Sequence, residues 1–86
     1  MPKLKKKIRV VEPHQLKDYG QAEPLGTNRY LIKIHPKHRT ERSRMNTVVH
    51  ESLHCGDMSM SEKKVRHLTA VVVEVLWAQG YRRVRV

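Results

Sequence analysis

The sequence NTVVHESLHCGDMSMSEKKV, residues 46–65, contains the turn between two predicted helices. The first helical pattern begins at a good N-cap residue, Thr40, and ends at Gly56. The second pattern follows Ser59 and ends at Gly80. Because only the short segment GDMS separates the two patterns, we expect an antiparallel helical hairpin.

The first half of the chain is predicted to be extended. Alternation in RYLIKIHP places Tyr30, Ile32 and Ile34 on one face of a strand that Pro36 ends, and another strand is predicted near residues 6–11. The intervening DYGQAEPLGTN is rich in turn formers and predicts a long loop, and the tail YRRVRV is a candidate third strand. These patterns predict an α+β fold, in which a small N-terminal antiparallel β-sheet of two or three strands packs on the C-terminal two-helix hairpin.

The composition indicates a single small domain. We divide its 86 residues into a basic β and loop region, residues 1–39, and a helical hairpin with a basic tail, residues 40–86. So short a chain has a thin core, which often depends on a metal ion, disulfides or a partner. Cys55 is the only cysteine, so an intrachain disulfide is excluded, a reducing cytoplasmic setting is favoured, and Cys55 is expected to be a small core residue. The longest apolar run, TAVVVEVLWA, is too short to span a bilayer, so we expect no membrane partner.

The net charge of +10 is concentrated in the segments KLKKKIR, HPKHRTERSR and YRRVRV. A basic surface of this kind attracts polyanions, and nucleic acid is the usual one in a cell. Solvated Lys and Arg side chains without a ligand are the alternative interpretation, because no nucleic-acid-binding motif accompanies the charge. The candidate polyanion contacts are Lys5, Lys6, Lys7, Arg39, Arg42, Arg44, Arg82, Arg83 and Arg85.

The first predicted helix contains the pattern His50-Glu51-x-x-His54. At about 100° per residue, the two histidines lie about 40° apart on one helix face, one turn from each other. That spacing lets both imidazoles reach one zinc ion, while Glu51 can accept a proton from water instead of binding the metal. A surface helix with two solvated histidines is the alternative. The pattern predicts a zinc site with Glu51 as the catalytic base, and the site needs a third ligand.

The candidates for the third ligand are Asp57, Glu62 and His67. An apolar arc of the second helix is expected to face the interior; it consists of Val65, Leu68, Val72, Val75 and Leu76. His67 falls on the solvent side of this arc, whereas Glu62 lies at its edge, close to His54 across the turn. Glu62 is therefore the preferred ligand, although the spacing Ser59-x-x-Glu62 also fits a capping box that would use the same carboxylate. Asp57 could instead bind the metal or orient a histidine.

The order of these motifs resembles that of small HExxH proteins encoded by phages, which are minimal zinc-metallopeptidase-like domains of the zincin type. The resemblance covers about residues 29–82: a Y-x-I-x-I strand, a helix with H-E-x-L-H, a short turn, and S-E-x-x-V leading to L-W-x-x-G-Y. It implies that His50, His54 and Glu62 are metal ligands and that Glu51 is the catalytic base. It implies no particular substrate.

We therefore expect a zinc-dependent hydrolase, most simply a minimal metallopeptidase that acts on a peptide or protein in the host cell cytoplasm. An oxyanion-binding residue is also required, for which the candidates are Tyr30, His67 and Tyr81. A second interpretation is a basic domain that zinc stabilises and that binds nucleic acid or an acidic partner. A third is a basic structural protein of a virion or another assembly, which needs no metal. The sequence does not specify the oligomeric state.

Overall fold

The structure, a computed structural model, describes residues 4–84. These residues form three strands followed by two helices: β1 (Lys7–Val11), β2 (Gly20–Gly26), β3 (Arg29–Ile34), α1 (Glu41–Gly56) and α2 (Glu62–Ala78). The predicted α+β fold is confirmed, with the sheet preceding the helical pair along the chain.

The sheet has the strand order β1-β3-β2, so β3 is its central strand. β2 and β3 form an antiparallel hairpin whose turn includes Asn28, which has a φ of 58°. Asparagine tolerates this left-handed conformation better than most residues. β1 occupies the other edge and runs parallel to β3. The prediction of an antiparallel sheet was therefore wrong for this pair, because the chain crosses from one edge of the sheet to the other between β1 and β2.

Strand β2 lies where the sequence predicted a long loop. Glycine, proline and polar residues in this segment are typical of turns, but β2 is an edge strand, where proline and irregular pairing are tolerated. A bulge between Pro24 and Gly26 interrupts the register with β3. The loop prediction was wrong because pairing with β3, rather than local propensity, holds these residues extended.

The core lies between α1 and the face of the sheet that carries Ile32 and Ile34, which are fully buried. This face of β3 is the one predicted from alternation. Cys55 of α1 is also fully buried, as expected of a core residue, and burial raises the pKa of its thiol. The packed cluster consists of Ile32, Ile34, Cys55, Ala22, Tyr30 and Val48.

The two helices form the predicted antiparallel hairpin. Arg42 near the start of α1 pairs with Glu74 near the end of α2 at 2.6 Å. At the opposite end of the hairpin, His54 contacts Glu62 at 2.6 Å. Thr40 is the N-cap of α1, as predicted, and its hydroxyl accepts a backbone N–H of the first turn at 3.0 Å.

The N-cap of α2 is Ser61 and not Ser59. The Ser61 hydroxyl accepts the backbone N–H of Lys64 at 3.2 Å. Ser59 lies in the turn, where its hydroxyl donates to Asp57 at 2.6 Å. The predicted capping box between Ser59 and Glu62 was wrong because Asp57 engages Ser59, and Glu62 becomes the first residue of α2.

α2 packs on α1 through a face that differs in phase from the predicted apolar arc. Val65, Thr69 and Val73 are buried, whereas Val72 and Val75 are exposed. The prediction was wrong for these two valines because α2 packs mainly against α1 and not against the sheet, so only a narrow stripe of the helix is covered.

The C-terminal tail does not extend the sheet within the part of the chain that the structure describes. Residues 81–84 have no regular secondary structure, and the remainder of the predicted third strand, Arg85 and Val86, lies outside the described residues. Neither α1 nor α2 has the length and apolar composition that crossing a membrane requires.

Candidate metal centre

His50 and His54 lie one turn apart on α1, and both are half-buried. Their ring centroids are 5.0 Å apart, with an interplanar angle of 63°. Glu62 reaches both rings from the start of α2: its Oε1 lies 2.6 Å from His54 Nε2, and its Oε2 lies 3.3 Å from His50 Nε2. One potential ligand atom from each of the three residues falls within 4.8 Å of the others. The structure thus brings together the three residues predicted as ligands.

The Glu62 side chain can contact the histidines because the side chain of Ser61, and not that of Glu62, caps the start of α2. From the first turn of α2, its carboxylate lies where the free N–H groups of the helix favour negative charge. Desolvation opposes ionisation, but the hydrogen bond from His54 and the proximity of both histidines hold the pKa of Glu62 below its usual value. An ionised carboxylate beside two imidazoles is a suitable arrangement for binding a divalent cation.

The spacing of the donor atoms is compatible with zinc. Two ligands at about 2.0–2.1 Å from a tetrahedral zinc ion lie about 3.3–3.4 Å apart. The 3.3 Å between His50 Nε2 and Glu62 Oε2 matches this spacing, while the direct contact between His54 and Glu62, at 2.6 Å, is shorter. The Glu62 side chain is 57% exposed, so a small rotation can open that contact. The same donor set also suits other divalent metals.

Glu51 is buried beside this group, with 7% of its surface exposed. Its side chain meets β2 at Gly20, where an added Cβ would lie 3.1 Å from Glu51 Cγ and 3.5 Å from its Oε2. Burial raises the pKa of Glu51 above its usual value; His50 and His54 oppose this shift, and nearby acidic groups add to it. A buried carboxylate whose pKa is raised is suited to taking up a proton.

An open cleft of about 450 Å³ lies between α1, the start of α2 and the segment that enters β2. The lining residues are Asp18, Tyr19, Gly20, Asn46, Thr47, His50, Glu51, Glu62 and Arg66. The sequence analysis missed residues 18–20 because they were assigned to a loop with no predicted contact to the helices. It missed Arg66 because the helix was phased on an apolar arc that the structure buries only in part.

Asp57 and His67, the alternative ligands, do not belong to the group. Asp57 is the C-cap of α1, and its Oδ1 accepts the backbone N–H and the hydroxyl of Ser59 at 3.0 and 2.6 Å. These hydrogen bonds lower the pKa of the Asp57 carboxyl. His67 is exposed on α2, on the solvent side where the sequence placed it. Neither residue contributes an atom to the cluster found within residues 4–84.

The predicted oxyanion-binding tyrosines lie outside the cleft. Tyr30 packs beside the core, with Lys6 Nζ 5.1 Å from its ring centroid, and Tyr81 is exposed. The third candidate, His67, does not line the cleft either. Tyr19 and Arg66, whose side chains can donate hydrogen bonds, do line it.

Most of the predicted polyanion contacts are engaged within the chain. Lys6 donates to two carbonyl groups at the end of α1, at 3.0 and 2.9 Å, and Arg82 stacks on Trp77 with its Cζ 3.3 Å from the ring centroid. The arginine–glutamate pairs are Arg42–Glu74, Arg44–Glu12, Arg83–Glu12 and Arg83–Glu41. The remaining predicted contacts are Lys5, Lys7 and Arg39, which are exposed, and Arg85, which lies outside the described residues.

Comparisons with known proteins return no relative of this chain. No protein-family model, no curated protein and no solved structure matches it. The resemblance to the phage HExxH proteins therefore stays a prediction from the motifs.

Proposed function

We propose that this protein is a zinc-dependent hydrolase of the peptidase type, with His50, His54 and Glu62 as metal ligands and Glu51 as the general base. The convergence of three ligand atoms within 4.8 Å, beside a buried glutamate in the same cleft, carries the proposal. The alternative is that the two histidines are only solvated residues of a surface helix. That alternative gives no reason for a carboxylate of a second helix to contact both imidazoles, or for a buried glutamate to lie next to them.

The chemistry follows from the character of each group. Zinc held by these residues would act as a Lewis acid that lowers the pKa of water and polarises a carbonyl group. Glu51 accepts a proton from the attacking water at its carboxylate and donates it to the leaving amine. Tyr19 and Arg66, which line the cleft, can donate hydrogen bonds to the developing oxyanion.

A peptide or protein is the substrate that suits this site. The cleft is open, so it accepts a segment of an extended chain more readily than it encloses a small molecule. Its wall includes the start of β2, an edge strand on whose outer side no other strand pairs in the described part of the chain, so a peptide could add there. Because the motifs resemble those of phage proteins, the host cell cytoplasm is the proposed place of action.

The substitution Glu51→Gln separates catalysis from metal binding. Glutamine has nearly the shape of glutamate but cannot take up the proton, so hydrolysis should fall by about 10²–10⁴-fold while zinc content stays unchanged. We would incubate the zinc-loaded proteins with a mixed peptide pool and follow cleavage by mass spectrometry. Glu74→Gln, which removes a carboxylate outside the cleft, should retain full activity.

Two results would contradict the proposal. Equal cleavage by wild type and Glu51→Gln would reject Glu51 as the base. A zinc-loaded wild type that cleaves no peptide, and whose stability falls on zinc removal, would instead indicate that zinc only stabilises the fold.

A further inference from the structure

The sheet has one face that α1 covers and a second face on the opposite side. Ile32 and Ile34 point toward α1, so the alternating residues of β3, beginning with Arg29, point away from it. The parallel register places Lys7 of β1 directly beside Arg29, and Arg9 follows two residues along the same side. We call this second surface the outer face; its cations are Lys7, Arg9, Arg29 and Lys33.

Three of these four cations have no carboxylate partner within residues 4–84. Lys33 pairs with Glu23 at 3.3 Å. Lys7, Arg9 and Arg29 are exposed, and none of them forms an ion pair with a carboxylate of residues 4–84. The helical and tail arginines, by contrast, are largely paired with glutamates. The outer face therefore carries a local excess of positive charge.

Protection of a sheet edge accounts for only part of this pattern. Charged side chains on an edge strand hinder pairing with other chains, which could explain Lys7 and Arg9 on β1. Arg29 lies on the central strand β3, both of whose edges are already paired, so it needs no such protection. A shallow hollow of about 230 Å³ is lined by all three cations together with Ile8, Leu25 and Tyr30, which leaves room for a ligand group among them.

We propose that the outer face binds nucleic acid through its phosphate backbone, independently of the metal centre. The Cα atoms of these residues lie about 5 Å apart across the strands and about 6.6 Å apart along β1, so their long side chains can reach separate phosphates of a duplex, each strand of which carries one charge per about 3.4 Å of axis. Tyr30, the one aromatic residue that lines the hollow, is half-buried and has Lys6 Nζ 5.1 Å from its ring centroid, so it offers bases no open stacking platform and binding is independent of sequence. A lipid surface fits less well, because Ile8 and Leu25 are the only exposed apolar residues among those that line the hollow, against three cations.

The salt dependence of DNA binding tests this proposal. The full chain is titrated into a labelled mixed-sequence duplex, and the logarithm of the association constant is plotted against the logarithm of salt concentration. Each phosphate contact contributes about −0.9 to the slope. The triple variant Lys7→Gln/Arg9→Gln/Arg29→Gln should therefore lower the magnitude of the slope by about 2.7 and weaken binding by at least about tenfold at low salt.

The matched control is Lys37→Gln/Lys63→Gln/Lys64→Gln, which removes the same charge from exposed residues outside the outer face. Its slope should equal that of wild type. Circular dichroism establishes that each variant is folded. Should the triple variant aggregate through β1, the single variant Arg29→Gln replaces it, with an expected change in slope of about 0.9.

Several outcomes would overturn the proposal. Equal losses in the two triple variants would assign binding to net charge alone. Absence of DNA binding by wild type would reject it outright. Binding to phosphatidylserine vesicles that is stronger than binding to DNA, and that requires the same three cations, would make a lipid surface the partner.

Discussion

Gly20 determines how closely β2 approaches α1 next to Glu51. A Cβ at this position would collide with Cγ2 of Thr47 and would approach Cγ of Glu51 to 3.1 Å. The backbone of Gly20 is not left-handed, so close contact, and not conformation, requires glycine here. This contact contributes to the burial that raises the pKa of Glu51.

We expect Gly20→Ala to lower the free energy of unfolding by about 1–3 kcal/mol, because the added methyl group overpacks the contact with α1. Thr47→Ser removes the colliding methyl group, so in that background the cost of Gly20→Ala should be smaller by at least about 0.5 kcal/mol. Urea denaturation measures both values.

Gly56→Ala is the control, because no atom lies within 4 Å of the added Cβ. It should leave stability unchanged or raise it slightly. A Gly20→Ala protein as stable as wild type would show that β2 does not pack on α1 as described.

The proposed ligands come from two different elements of the helical hairpin. The histidines lie near the end of α1, and Glu62 opens α2 after a five-residue connection, residues 57–61. Ser61 fixes the residue at which α2 begins, and therefore the direction in which Glu62 leaves the helix. The position of Glu62 beside the histidines therefore depends on this cap.

Ser61→Ala should lower the free energy of unfolding by about 0.5–2 kcal/mol, because a backbone N–H of the first turn loses its acceptor. Ser59→Ala should have a smaller effect, since its hydroxyl bonds only to the exposed Asp57. Thermal unfolding followed by circular dichroism compares the two. If Ser59→Ala were the more damaging change, Ser59 would be the cap, and the Glu62 carboxylate would belong to a capping box instead of the metal centre.

The helices and the spacing of the two histidines could be predicted because local chemistry determines them. Thr40 caps α1 through its own side chain, and the spacing of His50 and His54 depends only on helical geometry. Strand β2 could not be predicted, because its extended conformation comes from pairing with β3, which local sequence does not encode. The buried face of α2 was predicted wrongly for the same reason: whether Val72 is buried depends on the arrangement of the other elements, and in the structure it is exposed.

Across the whole molecule, Glu12 connects the segment after β1 to α1 and to the C-terminal tail, through Arg44 and Arg83. The hydrogen bond from Arg44 holds the pKa of Glu12 below its usual value of 4.5, against desolvation and with help from the charges of both arginines. A carboxyl group whose pKa is lower in the folded than in the unfolded state stabilises the fold at pH values above its unfolded-state pKa. That contribution is lost as the pH falls through the folded pKa.

We therefore expect the stability of Glu12→Gln to depend less on pH than that of wild type below about pH 4.5. At neutral pH the variant should be less stable by only about 0–1 kcal/mol, because the ion pair is partly exposed. Urea denaturation at a series of pH values measures this. If the free energy of unfolding changed with pH in parallel for wild type and Glu12→Gln, the described ion pairs of Glu12 would be contradicted.

Because the core is small, a bound metal ion would have a large effect on the stability of the whole fold. Only five hydrophobic residues are buried in the described part of the chain: Ile32, Ile34, Cys55, Val65 and Val73. Ligands on both α1 and α2 mean that zinc would link the two helices, and binding energy then adds to folding stability. Zinc should raise the melting temperature, and chelation should reverse the change.

The most direct test is zinc content and melting temperature, measured on wild type, Glu62→Ala and His67→Ala. Glu62 contacts both histidines, while His67 is an exposed residue of the same helix outside the cluster. We predict one zinc ion per chain in wild type and in His67→Ala, with a melting temperature that rises on zinc addition. Glu62→Ala should lose both the stoichiometric zinc and the thermal shift. No stoichiometric zinc in wild type, or equal zinc in all three proteins, would contradict the three-residue metal centre.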